Sequence, residues 1–124
     1  MLRMDHIGIE ARDARRSAQT LAEILGAAEP AADGADGDMY RIDLDDGCFL
    51  LFAAPASPNV TTQHMAFRVD EARFGHIVDR LRAHRIAFGN DPEAPRNGNT
   101  NDPLGGAGRV YFTDENGHLF EVTC

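Results

Sequence analysis

"RVYFTDENGHLFEVTC", residues 109–124, predicts two β-strands joined by a tight turn. The turn signal is Glu-Asn-Gly at 115–117, because glycine adopts the positive φ that short hairpin turns require. Successive side chains of a strand point to opposite faces, so Phe120 and Val122 point one way and Glu121 points the other. A carboxylate in an apolar strand either meets water or belongs to a site that other residues complete.

A hairpin with the same pattern lies earlier in the chain, in MYRIDLDDGCFLLFAAP (39–55), which turns at Asp-Asp-Gly. Aligning Gly47 with Gly117 pairs Leu51 with Glu121. Internal similarity of this kind indicates a repeated structural unit.

Each hairpin is preceded by a strand that leads into an amphipathic helix. The strands begin in DHIGIEARD (5–13) and QHMAFRVDE (63–71). Each helix is predicted to begin after an aspartate N-cap and to bury one apolar stripe. These residues are Asp13 with Ala14, Ala18, Leu21 and Leu25, and Asp70 with Phe74, Ile77, Val78 and Leu81.

The order strand, helix and three strands, found twice, predicts an α+β fold of two similar curved βαβββ modules. The weakly marked strand of each module is expected within 28–37 and near 86–90. We predict a single domain of 124 residues, divided into modules 1–57 and 58–124. Because neither module covers its apolar face alone, the modules would pair with each other or with another chain.

Composition and charge exclude several classes of partner. The net charge of −8 argues against nucleic acid, whose phosphates attract basic surfaces. No apolar run approaches the roughly 18 residues of a membrane-spanning helix. The polar start is not a signal peptide, so we expect a cytoplasmic protein without membrane association. Cys48 and Cys124 form neither a disulfide framework nor a zinc motif.

Three possible metal ligands share the strand face that points away from the helices. Alternation along the strands assigns His6, His64 and Glu121 to this face, because their apolar neighbours face the helices. A single strand histidine is usually a structural or surface residue. Two histidines and a carboxylate at repeat-related positions suit a divalent metal with open positions for substrate. The remaining histidines, His76, His84 and His118, are expected in solvated positions.

The chain resembles a single-domain member of the vicinal oxygen chelate superfamily. That group includes glyoxalase I, extradiol dioxygenases, fosfomycin-resistance thiol transferases and bleomycin-resistance proteins. The likeness spans nearly the whole chain, and its most specific pieces are DHIGIEARD (5–13), HMAFRV (64–69) and RVYFTDENGHLFEV (109–122). The resemblance implies paired βαβββ modules that form a curved mixed sheet with a cleft around a metal. It also implies His6, His64 and Glu121 as ligands, and a homodimer in which two chains interlock.

Departures from the family pattern narrow the expected chemistry. Glyoxalase I-like members use a fourth ligand, a glutamate, where this chain has Leu51. Dioxygenases and fosfomycin transferases use three ligands, and both place a substrate-contacting tyrosine where this chain has Tyr111. The alternative is an ordinary strand tyrosine with its hydroxyl satisfied. Neither branch matches fully, because Gly8 replaces a hydroxyl residue of the transferases and no histidine precedes Tyr111 as an acid/base group.

The ligand face also predicts the walls of a substrate pocket. Its arginines, Arg41, Arg68 and Arg109, would pair with a substrate carboxylate or phosphate, or else lie solvated at the sheet margins. The segment GGAG (105–108) is expected to form a turn or a flexible lid. The apolar residues of the face are Phe49, Leu51, Ala66 and Leu119.

Together these features predict a divalent-metal-dependent enzyme for a small oxygen-chelating organic substrate. The metal would be Fe, Mn, Ni or Zn, and the three-ligand set favours dioxygenase-type chemistry over isomerase, lyase or thiol-transfer chemistry. Tyr111 would orient the substrate or shuttle a proton. The alternative is a bleomycin-resistance-like protein that sequesters a small molecule without catalysis, although such relatives generally lack the ligand triad. A third possibility is a degenerate member that binds a partner.

Overall fold

The computed structural model describes all 124 residues and contains two helices and seven strands. The chain groups into two compact units, Met1–Thr61 and Thr62–Cys124. In chain order the elements are β1 (His6–Glu10), α1 (Ala14–Leu25), β2 (Ala31–Asp33), β3 (Met39–Asp43), β4 (Phe49–Ala53), β5 (His64–Arg68), α2 (Glu71–Ala83), β6 (Arg109–Thr113) and β7 (Leu119–Thr123). Neither helix is both long and apolar enough to cross a bilayer.

The first unit is a four-stranded mixed sheet with α1 packed on it. The strand order is β1-β4-β3-β2, with β1 and β4 parallel and the other neighbours antiparallel. Burial of apolar side chains from the sheet and the helix provides the main stabilising term of this core. The fully buried members include Ile9, Ile42, Leu50 and Phe52 of the sheet and Ile24 of the helix.

Both helices begin at the predicted aspartates. The Asp13 carboxylate accepts a hydrogen bond from Arg16 N at 3.0 Å, and the Asp70 carboxylate accepts one from Arg73 N at 2.7 Å. Each cap satisfies an amide that has no partner within the helix. Gly26 ends α1 with a φ of +69°, which suits glycine. The predicted stripe of α2 is fully buried, and in α1 only Ala14 of the predicted stripe is not.

The second unit repeats the register of the first, which confirms the predicted internal repeat. Its strand order is β5-β7-β6, again with a parallel pair followed by an antiparallel pair. His64 pairs with Leu119 as His6 pairs with Phe49. In the hairpins, Tyr111 pairs with Glu121 as Arg41 pairs with Leu51. Both turns contain the expected glycine at positive φ, +88° at Gly47 and +89° at Gly117.

The fourth strand of the second module, expected near 86–90, is reduced to an isolated bridge between Gly89 and Tyr111. Beyond Gly89 the backbone turns back on itself instead of extending. The Asn90 side chain bonds to Asn101 O at 2.9 Å and accepts from Asn97 Nδ2 at 2.8 Å. A Cβ on Gly89 would lie 2.7 Å from Asn97 N, so the close approach of the returning chain requires glycine.

His118 is buried, contrary to the expectation of a solvated position. The residue is 1% exposed, and its ring lies 6.2 Å from that of Phe120. Its Nδ1 accepts a hydrogen bond from Gln63 N at 3.0 Å. The side chain is therefore part of the polar pairing that joins the start of β5 to the β6–β7 turn. His76 and His84 are exposed, as expected.

Candidate functional site

The centre of the candidate site in the second unit is Glu121, on the middle strand of its sheet. His64 of β5 pairs with Leu119, two residues before Glu121. Arg109 of β6 pairs with Thr123, two residues after Glu121. Residues two apart on neighbouring strands share a face and lie within reach of long side chains. The register therefore brings an imidazole from one side and a guanidinium from the other to the same carboxylate.

Both oxygens of the Glu121 carboxylate have partners. Oε1 lies 2.9 Å from His64 Nε2, and Oε2 forms an ion pair with Arg109 Nη1. Glu121 is only 7% exposed. A carboxylate removed from water in this way remains charged only where hydrogen bonds and an opposite charge replace its hydration.

Arg109 is held from its other edge by Asp102. Its Nε donates to Asp102 Oδ1 at 2.8 Å, and both side chains are largely buried. The hydrogen bond and charge of Arg109 lower the pKa of Asp102, and the Asp102 carboxylate raises the pKa of Arg109. Both groups are therefore charged near neutral pH.

The segment 105–108 forms part of a turn around the Asp102 carboxylate. Asp102 accepts hydrogen bonds from Leu104 N at 2.9 Å and Gly106 N at 3.0 Å. Ala107 N donates to Cys124 O at 3.0 Å. A Cβ on Gly106 would lie 2.8 Å from the backbone oxygen of Cys124, so glycine is required for this approach. The predicted turn is present, and it is connected to Arg109 through Asp102.

Tyr111 lies beside the same cluster. It is 6% exposed, and its ring centroid is 6.2 Å from that of His64. Its hydroxyl is 3.5 Å from Arg109 Nη1, a long hydrogen bond. The structure thus brings three predicted residues of the second unit together: His64, Tyr111 and Glu121.

In the first unit His6 stacks on Phe49. The ring centroids are 4.8 Å apart at an angle of 12°. His6 Nδ1 lies 2.7 Å from Asp5 Oδ2. When Nδ1–H of a histidine donates a hydrogen bond to a carboxylate, Nε2 carries the lone pair. This arrangement is common among metal-ligating histidines.

The predicted substrate-binding arginines differ in their pairing. Arg41 lies 3.6 Å over the Phe49 ring and pairs with Asp43 at 2.5 Å. Arg109 pairs with Asp102 and Glu121. Arg68 is exposed on β5. The predicted apolar wall residues Leu51 and Leu119 are both half-buried.

The donor groups of the second unit are spaced as a divalent metal would require. Metal–nitrogen and metal–oxygen bonds of about 2.1 Å at right angles place the two donors about 3 Å apart. The 2.9 Å between His64 Nε2 and Glu121 Oε1 fits this separation. Within either unit no group of three or more histidine, cysteine, aspartate or glutamate side chains could hold a metal ion. The second unit therefore offers two donors, and the first offers His6.

The pairing of Arg109 with Asp102 was not predicted. Strand alternation assigned Arg109 to the ligand face, but no periodicity describes the loop that carries Asp102. The one sequence signal is an aspartate seven residues before an arginine, too far apart to predict a contact.

Comparison with known proteins adds a family and a set of structural neighbours. The family model described as the Glyoxalase/Bleomycin resistance protein/Dioxygenase superfamily matches residues 3–122. The solved structure of oxidase ChaP-H1 is similar with a TM-score of 0.89 and 32% sequence identity, covering 99% of this chain and 95% of that chain. For oxidase ChaP-H2 the TM-score is 0.87 at 31% identity, with 98% and 92% covered. No curated protein sequence gives a significant match.

More distant structures share the fold. A glyoxalase/dioxygenase from Nostoc punctiforme has a TM-score of 0.72 at 23% identity, covering 98% of this chain and 90% of that chain. The fosfomycin resistance protein FosX from Listeria monocytogenes, complexed with Mn(II) and sulfate, has a TM-score of 0.69 at 17% identity, covering 100% and 90%. The resemblance and the α+β fold expected from the sequence are confirmed by these likenesses.

Proposed function

Because the chain belongs to the glyoxalase/bleomycin resistance protein/dioxygenase superfamily, we propose that it is a divalent-metal-dependent enzyme for a small organic substrate that chelates the metal through oxygen atoms. The observation that carries this proposal is the 2.9 Å separation of His64 Nε2 and Glu121 Oε1. Two donors of this type and spacing, on neighbouring strands, suit a metal that retains open positions. The likeness to two oxidases above 30% identity supports oxidative chemistry, and hence a redox-active metal such as iron, over isomerase or lyase chemistry.

His64, Glu121 and His6 would hold the metal, His6 through Nε2, the ring nitrogen that does not contact Asp5. When bound, such a metal supplies Lewis acidity or, as Fe(II), a centre for dioxygen chemistry. The ion pair with Arg109 would hold the Glu121 carboxylate in place. The enzyme would act as a homodimer.

Other residues of the ligand face would bind and orient the substrate. Tyr111 would orient it or carry a proton, because its hydroxyl lies beside the guanidinium of Arg109. Arg68, exposed on the same strand face as His64, would bind an anionic group of the substrate. Arg41 would likewise pair with an anionic group of the substrate, and Phe49, Leu51 and Leu119 would form the apolar walls.

The first test is elemental analysis of protein purified anaerobically without chelator. Wild type should contain about one metal per three-ligand site, and Glu121→Ala and His64→Ala should lose it. His76→Ala is the matched control, because His76 is an exposed histidine of α2 and should leave the metal content unchanged. Oxygen consumption with catechols and related aromatic diols would then test the reaction. Wild type that binds no metal, even after reconstitution, would contradict the proposal.

A second candidate function is binding of a small molecule without catalysis. It is favoured by the fact that both Glu121 oxygens are already satisfied by His64 and Arg109, as a structural ion pair would be. In that case His64→Ala would alter the binding of the small molecule and leave the metal content of the protein unchanged.

A further inference from the structure

We infer that Arg109 is a positioning residue, which holds one oxygen of Glu121 so that only the other oxygen is presented toward His64, and that Asp102 keeps Arg109 in this role. The inference deepens the proposed function and rests on it, since it concerns how Glu121 is presented to a metal. It follows from three contacts in the second unit.

The first contact divides the two oxygens of Glu121 between different partners. Oε1 faces His64 Nε2 at 2.9 Å, whereas Oε2 belongs to the ion pair with Arg109. The terminal torsion of a glutamate is broad and roughly two-fold, so the side chain alone does not select one orientation. The charge-assisted bond to Arg109 selects it.

The second contact fixes the guanidinium itself. Arg109 uses Nε for Asp102 and Nη1 for Glu121, so the two acids bind different nitrogens of one planar group. A guanidinium has five donors in a rigid fork, whereas an ammonium is a point charge on a flexible stem. A lysine at this position would not hold both carboxylates in the same relative orientation.

The third contact connects the pair to the loop. Asp102 is fixed by the amides of Leu104 and Gly106 as well as by Arg109. The place of the Glu121 carboxylate is therefore set by a chain of contacts that begins in the 102–106 turn and ends at His64.

The consequence for a bound metal is binding through one oxygen of Glu121. With Oε2 held by Arg109, Glu121 would offer a metal Oε1 alone, which would leave more of the coordination sphere for substrate. Partners of metal ligands that orient them in this way are typically worth about 10- to 100-fold in metal affinity.

Titration of the metal-free protein with Co(II), followed by calorimetry and by visible absorption, tests the inference. Arg109→Gln should weaken Co(II) binding by about 10- to 100-fold, because the Glu121 carboxylate is no longer held in one orientation. The absorption bands should also change, because Glu121 is then able to bind through both oxygens. Arg109→Lys should not restore the wild-type spectrum. Arg96→Gln, an exposed arginine outside the cluster, is the matched control and should match wild type.

Asp102→Asn provides a second route should Arg109→Gln fold poorly. It leaves the Arg109 charge in place and removes only the carboxylate that pairs with it. The Co(II) affinity should therefore fall by less than in Arg109→Gln. The Arg109→Gln/Asp102→Asn double variant should bind Co(II) as Arg109→Gln does, because the two residues act in one chain of contacts. Circular dichroism reports whether each variant is folded.

The outcomes separate this inference from the proposed function. Wild type that fails to bind Co(II) overturns both. Wild type that binds Co(II), with folded Arg109 and Asp102 variants that show the same affinity and spectrum, overturns the positioning role alone. A purely structural role would lower the stability of these variants and leave the Co(II) spectrum unchanged.

Discussion

At the scale of single residues, one arginine forms ion pairs with two carboxylates whose side chains are largely buried. Asp102 and Glu121 each contact the Arg109 guanidinium, and no basic residue other than Arg109 and the imidazole of His64 is bonded to them. Placing one cation between two carboxylates lowers the cost of removing both from water. The sequence predicted the face of Arg109 and Glu121 through strand alternation, but Asp102 reaches them from a loop that alternation does not describe.

The Asp102 contact predicts a dependence of stability on pH. Because its pKa in the folded protein lies below the ordinary value of about 3.9, the unfolded chain takes up this proton first as the pH falls. The stabilisation from Asp102 is therefore present above about pH 4 and is lost as the pH falls through the folded pKa. Urea-unfolding midpoints of wild type between pH 6 and 2 should show this loss, and those of Asp102→Asn should show less of it.

The exposed helix residue Asp79 provides the comparison for this experiment. Asp79→Asn should follow the wild-type profile. Identical pH profiles for wild type and Asp102→Asn would mean that the Arg109–Asp102 contact does not contribute to folding stability.

At the scale of elements, locally encoded features were predictable and contacts made by loops were not. The N-caps Asp13 and Asp70 and the turn glycine Gly117 act on their own segments, so their effect is visible in the sequence. The prediction of a strand near 86–90 was wrong, because hydrogen bonds from asparagine side chains farther along the chain bend the segment after Gly89.

Two glycines distinguish close packing from open space at the element scale. Gly89→Ala should lower the free energy of unfolding by about 1–3 kcal/mol, because its Cβ would overlap the returning backbone near Asn97. Gly75→Ala should raise it by up to about 1 kcal/mol, because Gly75 lies within α2 and its Cβ would meet nothing. Equilibrium urea unfolding measures both changes. An unchanged free energy of unfolding in Gly89→Ala would show that the loop moves to accommodate the added Cβ.

At the scale of the whole molecule, one pattern occurs twice with different chemistry. The repeat places Leu51 where the second unit has Glu121, and Arg41 where it has Tyr111. The fold class and the register were predictable because turn glycines and strand alternation define them, and alternation also predicted that His64 and Arg109 share a strand face with Glu121. The aligned hairpins also predicted that the second unit, and not the first, carries a glutamate at this position. The sequence does not determine whether a site made of His6, His64 and Glu121 would lie within one chain or across two, because no local pattern encodes it.

A metal site shared between the two chains of a homodimer predicts how mixtures of two variants behave. If His6 of one chain joins His64 and Glu121 of a second chain, neither His6→Ala nor Glu121→Ala alone should bind metal. Dimers reassembled from equal amounts of both variants should regain about one quarter of the sites, because half of them are mixed and each mixed dimer has one intact site. Metal content after mixing measures this. No recovery from a mixture shown to exchange chains would place the three ligands within one chain.

The asparagine contacts of the loop after Gly89 also bear on how the protein ages. Asn97-Gly98 is the kind of dipeptide that deamidates when the glycine nitrogen attacks the asparagine side chain. Here Gly98 N donates to Phe88 O at 2.8 Å, and the Asn97 side-chain oxygen accepts from Asn90 N and Asn99 N. The attacking nitrogen and the target carbonyl are both engaged, so the folded chain should resist this damage. The rate of deamidation at Asn97 on storage would thus follow the integrity of this loop.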